Sequence, residues 1–274
     1  MRKLYHSSSL PSPYLPSNNE CSGPSYTHCT FTQTTRPELF TDSAFTSCTF
    51  TSLSSNSNGG VIHFTFTGTL TITSCTFTEC NNNVPRADYF GGGCVCIDSG
   101  SLVSRSNAFI SCTSGGFSAG LLAQSNCESS DVSLCTFINC HAYHGAGLMT
   151  FYGPTSSLSS SRFFSCDAVV GGALYHDCKT VSGSLSIADS LFKECHASFT
   201  SNRGGGAIED FRSSGYSSKY QFSFFTHNTS SGVGYDISII ATPLSEESFV
   251  YCFTTTQTNA LWNTQYDTSN DWLP

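Results

Sequence analysis

The chain is poor in charge. Asp, Glu, Lys and Arg together make up 11% of its 274 residues, against roughly a quarter in an ordinary soluble domain. Only four lysines are present, too few for the clustered cations that neutralise a phosphate backbone, so nucleic acid is excluded as a partner. No apolar run approaches the roughly 20 residues of a membrane-spanning helix. Methionine is scarce as well, with two residues, whereas Ser (48) and Thr (31) abound. Ser, Thr, Asn and Gly compete poorly for helix interiors, which argues against an extensively helical protein. Cys-x-x-Cys and His-x-x-x-His spacings are missing, so zinc fingers and redox motifs have no support. After Arg2 and Lys3 the first twenty residues are rich in Ser and Pro. They lack the roughly 7–15 apolar residues of a secretory leader, so either export does not follow that route or the sequence is a fragment.

What is present is a repeat. Phe-x-x-Cys recurs at Phe45/Cys48, Phe77/Cys80, Phe109/Cys112, Phe137/Cys140, Phe163/Cys166, Phe192/Cys195 and Phe249/Cys252, with Phe225/Asn228 as an Asn version. Successive phenylalanines are 32, 32, 28, 26, 29, 33 and 24 residues apart. Between them falls a glycine cluster followed by small and aliphatic residues, as in Gly171-Gly172-Ala173-Leu174 and Gly205-Gly206-Ala207-Ile208. Ahead of the Phe, Leu70-x-Ile72, Val132-x-Leu134 and Leu185-x-Ile187 alternate with Ser or Thr, the two-residue rhythm of a strand with one buried face. Such a unit cannot bury its apolar face alone and must stack on its neighbours. It is too short for a propeller blade of about 40–50 residues. The fold expected is therefore all-β, a right-handed single-stranded parallel β-helix of about eight coils. Like residues then form Phe, Cys and Gly ladders at about 4.8 Å steps, with glycine at a sharp corner.

Leu185-Ser-Ile-Ala-Asp-Ser-Leu-Phe192-Lys-Glu-Cys195-His-Ala197, followed by Gly205-Gly206-Ala207-Ile208, resembles the repeats of chlamydial polymorphic membrane proteins. That family pairs Gly-Gly-Ala-[Ile/Leu/Val] with Phe-x-x-Asn, and similar repeats occur in surface proteins of parasitic protists. The resemblance covers about residues 43–252. It implies a right-handed parallel β-helix, a cell-surface or extracellular location, and adhesion to a protein or carbohydrate partner. Here Cys stands at seven of the eight Asn positions.

Residues 1–25 read as a flexible Ser/Pro-rich lead, 26–252 as the repeat domain, and 253–274 as a cap or tail. Cys29-Thr30-Phe31-Thr32 imitates Cys75-Thr76-Phe77-Thr78, which starts the coils early. Fifteen cysteines is an odd count, so at least one thiol is unpaired within the chain. Parallel Cβ vectors in stacked residues disfavour a bridge, so Cys80, Cys112, Cys140, Cys166 and Cys195 are expected as buried thiols, with Asn228 buried in the same ladder. Cys21 and Cys29 could pin the N-terminal region.

Two constellations carry possible chemistry. His141, Asp167 and His196 each follow a ladder Cys and would form one column, read as solvated turn positions with a surface metal contact as the alternative. Asp177 and Glu209 could share an outward face about 7–8 Å apart, with Lys179 and Arg212 near in sequence. Among scattered acids Asp177 and Glu209 form the best pair for a polysaccharide lyase or hydrolase, and they too read as solvated charges. Tyr143, Tyr152, Tyr175 and Tyr216 are candidate exposed aromatics. No cofactor is implied. The sequence therefore points to a non-catalytic adhesive or structural protein, with a carbohydrate-active enzyme as the alternative.

Overall fold

A computed structural model describes residues 21, 23–32, 37, 39–56, 59–83, 92–151, 155–178, 183–200, 204–212, 216–232, 236–241, 246–254 and 262–266. Its strands form three parallel sheets of fifteen, nine and seven strands. The inner turns of the chain contribute to all three in succession, as in Leu121–Ser133, Thr136–Ile138 and His141–His144. The architecture is a parallel β-solenoid of about six turns, somewhat fewer than the eight coils expected.

Two corners per coil share one local design. A strand runs inward residue, outward residue, then a residue in the left-handed conformation, then an inward corner residue. Among the described residues sixteen non-glycine residues adopt that conformation, including Ser47, Ser74, Leu134, Ser160 and Phe222 at the first corner and Ser52, Glu79, Ser111, Ser165 and His227 at the second. Left-handed backbone is unfavourable for a residue with a Cβ, so the neighbouring structure must hold it. The inward corner residue supplies part of that hold. At the second corner the thiols of Cys80, Cys112, Cys140, Cys166 and Cys195 donate to the carbonyls of Phe50, Phe77, Phe109, Phe137 and Phe163 in the preceding coil, at 3.6–3.9 Å. Asn228 ends this column, donating to the Phe192 carbonyl at 3.1 Å and accepting the Cys195 N–H at 2.9 Å. The expected thiol ladder therefore exists, fully buried and unbridged, and its sulfurs bond as well as pack.

The first corner holds a second column that sequence inspection did not separate: Cys29, Cys48, Cys75, Asn107, Cys135, Ser161, Ser190, Ser223 and Cys252. Here each side chain accepts from the corner N–H of the coil before it. Cys48 N–H reaches Cys75 Sγ at 3.3 Å, and Cys75 N–H reaches Asn107 Oδ1 at 2.7 Å. Two assignments are corrected by this register. Phe45/Cys48 and Phe249/Cys252 belong to the first corner, because Phe45 pairs with Ile72 and Phe249 with Tyr220. The Phe ladder is instead Phe31, Phe50, Phe77, Phe109, Phe137, Phe163, Phe192 and Phe225, with ring centroids 4.5–5.0 Å apart and planes within 10°. The early start at Cys29 and Phe31 is as expected.

The third corner carries the glycines. Gly171 has φ +60°, and a Cβ there would stand 2.3 Å from the Leu174 carbonyl. At Gly172 it would lie 2.1 Å from the Gly206 carbonyl of the next coil, and Gly172 N–H donates to Gly205 at 3.2 Å. Glycine is thus required once for conformation and once for close backbone approach. Cys21 and Cys29 form a disulfide. Strand Trp262–Tyr266 pairs with Ile237–Ala241, so the first sheet continues past 252 into the segment expected as a cap. Residues 1–20, 255–261 and 267–274 lie outside the described residues, as do Tyr152, Lys179 and the greater part of the expected N-terminal lead.

Candidate functional site

Asp177 and Glu209 occupy neighbouring strands, Leu174–Cys178 and Ile208–Arg212, in the register Tyr175 to Glu209 and Asp177 to Phe211. Strand parity places both carboxylates on the outward side, as expected. They are not solvated, however: Asp177 is 3% exposed and Glu209 is fully buried. The glycine corner lies over Glu209, since a Cβ on Gly171 would come within 3.1 Å of its Cβ. Glu209 Oε2 accepts the N–H groups of Gly204 and Gly205 at 2.8 and 3.1 Å. Asp177 Oδ2 accepts from the Tyr175 hydroxyl at 3.2 Å. Glu209 thus secures the corner, and burial withdraws both carboxylates from solvent. Tyr175 and Tyr216 are likewise buried, a correction to their reading as exposed aromatics.

Arg212 faces inward rather than toward these acids. Its Nε lies 3.2 Å from Asp210 Oδ2, with both side chains fully buried. Tyr220 and Ser218 hydroxyls donate to the same oxygen at 2.6 and 2.7 Å. His176, directly beside Asp210 in register, hydrogen-bonds Thr150 through Nδ1. Burial pushes its imidazole down to about 4, Arg212 adding to the shift and Asp210 opposing it. The signal for this interior network was the inward parity of Asp210 and Arg212 after Ile208, polar residues where the pattern calls for apolar ones.

His141, Asp167 and His196 do share one outward column. The structure joins the first two, Nδ1 to Oδ2 at 2.7 Å, and turns His196 to the Thr229 hydroxyl at 2.8 Å. All three ligand groups therefore do not converge. Another trio does: His63, Cys96 and Asp98, whose ligand atoms lie within 4.8 Å of one another. His63 Nε2 is 2.7 Å from Asp98 Oδ2, and Cys96 Sγ donates to Asp98 Oδ1 at 3.4 Å. The Asp98 carboxyl sits below its ordinary value; burial would raise it, but the His63 hydrogen bond and charge and the Cys96 bond outweigh that. Burial, then the Asp98 charge, pushes the Cys96 thiol up. The trio escaped sequence inspection because His63 is one coil away from the other two.

A groove of about 500 Å³ runs along the nine-stranded sheet near its last coils. One ridge is the left-handed corner, with Asp189 and Phe222, on which Tyr251 stacks; the other is the outward strand face, with Arg162, Leu191, Phe224 and Phe253. Phe222, Phe224, Tyr251 and Phe253 are 46–69% exposed. Phe222 stacks on Tyr251 at 5.3 Å and Phe224 on Phe253 at 5.1 Å, so the four rings stand as two adjacent stacks.

Fold and surface together define a parallel β-solenoid with a thiol-filled interior and an aromatic-edged groove on its flank. Comparison with family models, with curated proteins and with solved structures returns no match. Among the described residues no helix is long and apolar enough to cross a membrane.

Proposed function

We propose that the chain is a non-catalytic adhesive or structural protein of the cell surface, whose groove takes an apolar segment of a partner protein. The observation that carries this reading is the exposed aromatic pair of pairs, Phe222/Tyr251 and Phe224/Phe253, on a rigid scaffold. Four large apolar side chains left together in water mark an interaction surface. An apolar segment of a partner protein can pack against these rings. The resemblance to polymorphic membrane protein repeats supports the same role and location. The enzymatic alternative loses support from the burial of Asp177 and Glu209.

Beads coated with the protein should adhere to cultured cells. Adhesion should fall at least tenfold with Phe222→Ser/Phe224→Ser, an exchange of exposed residues, and should vanish when the cells are treated with protease. Adhesion abolished by glycan removal alone would favour a carbohydrate partner instead. Release of reducing sugar or unsaturated uronate from pectin or alginate would overturn the non-catalytic reading.

A further inference from the structure

We propose that His63, Cys96 and Asp98 form a zinc site on the outer face of the first sheet, independent of the adhesive role. The three residues come from two coils locked in parallel register. His63, on Ile62–Phe64, lies directly beside Cys96 on Val95–Arg105, and Asp98 follows two residues later on the same outward face. Among the described residues no other group of three His, Cys, Asp or Glu side chains brings its ligand atoms so close.

The donor set is one sulfur, one imidazole nitrogen and one carboxylate oxygen, a borderline combination that suits Zn²⁺ over the hard cations Mg²⁺ and Ca²⁺. With Zn–S near 2.3 Å and Zn–N and Zn–O near 2.0–2.2 Å, ligand atoms around a tetrahedral zinc stand about 3.3–3.7 Å apart. Cys96 Sγ stands 3.4 Å from Asp98 Oδ1 while His63 Nε2 contacts the other oxygen, Oδ2, so a zinc held through one oxygen requires a small rotation of the Asp98 carboxylate. His63 Nε2 and Asp98 Oδ2, now hydrogen-bonded at 2.7 Å, must separate by about 0.6 Å on that geometry. The site is walled on one side: Cys96 is fully buried, and a Cβ on Gly92 would come within 3.2 Å of its own Cβ. His63 and Asp98 side chains are 34% and 32% exposed, which leaves the fourth coordination position open to solvent. Gln124, one coil further on, donates from Nε2 to Cys96 Sγ at 3.2 Å and so steadies a thiolate ligand from outside the trio. On binding, the Cys96 thiol releases its proton to solvent, His63 Nε2 gives up its hydrogen bond to Asp98, and the cation takes the place between them.

The test uses the whole chain, stripped with a chelator and then titrated with Co²⁺ and with Zn²⁺. Cobalt should give thiolate-to-metal charge transfer and intense visible bands at one equivalent. The charge transfer should be lost in Cys96→Ser and retained in Cys252→Ser, which removes the half-exposed thiol of the last coils. Should Cys96→Ser fail to fold, the partly exposed His63→Gln and Asp98→Asn decide the matter, each weakening zinc binding at least tenfold in competition with a chromophoric chelator. The proposal is overturned if wild type shows no charge transfer, if the band persists in folded Cys96→Ser, or if His63→Gln and Asp98→Asn bind zinc as tightly as wild type.

Discussion

His176 shows how far one residue's behaviour depends on its place. Fully buried beside Asp210 and Arg212, it stays neutral in the folded chain until about pH 4, whereas its ordinary value is 6.5. The folded value is the lower one, so between these limits the unfolded chain binds the extra proton. Stability is therefore complete above pH 6.5 and falls as pH drops toward 4, by about 3 kcal/mol from this group. Urea midpoints measured from pH 7 to 4 should show this slope in wild type and lose most of it in His176→Gln. Equal slopes in the two proteins would mean that other groups govern the acid limb. In the sequence the outward acids Asp177 and Glu209 stand out and His176 does not, although the same parity turns it inward beside Asp210, because nothing within one coil shows what a buried imidazole will face.

At the scale of the repeating element, the inward corner residue decides how well each turn is held. Asn107 does more than a thiol can. It accepts the Cys75 N–H at 2.7 Å and donates to the Ile72 carbonyl and the Ser104 hydroxyl at 2.8 and 2.9 Å. Asn107→Ala leaves buried backbone groups unpaired and should cost about 2–4 kcal/mol. Cys140→Ala, removing a sulfur with contacts at 3.6 and 3.7 Å, should cost about 1 kcal/mol. Denaturation of both variants checks the ranking, and a larger loss for Cys140→Ala would refute the hydrogen-bond account of the corners. The same element explains what the sequence revealed and what it hid. Phase, strand rhythm and the ladder from Cys80 to Asn228 were legible, since like residues recur at like positions. Phe45/Cys48 and Phe249/Cys252 misled because both corners run inward, outward, left-handed, inward, so Phe-x-x-Cys fits either one. Only the strand pairing tells them apart. The zinc trio and the cover over Glu209 depend on which residues of different coils meet, and spacing within one coil carries no such information.

For the molecule as a whole, thirteen cysteines are free and all but Cys252 are buried. A thiol reagent applied to the native protein should modify Cys252 rapidly and the other twelve only as the solenoid unfolds. After denaturation the count should reach thirteen, and reduction should expose the remaining two from the Cys21–Cys29 bridge. Mass spectrometry of the alkylated protein provides the measurement; five or more bridges in the native state would contradict a thiol-filled interior.

The alignment of each outward position with its counterpart one rung away has a further effect. Contact groups along the axis can be separated only by whole steps of about 4.8 Å, whatever side chains occupy them. A partner touching several rungs is accordingly sorted by its own period: one whose groups repeat in step gains a contact at each rung, while one that does not slips out of phase within a few.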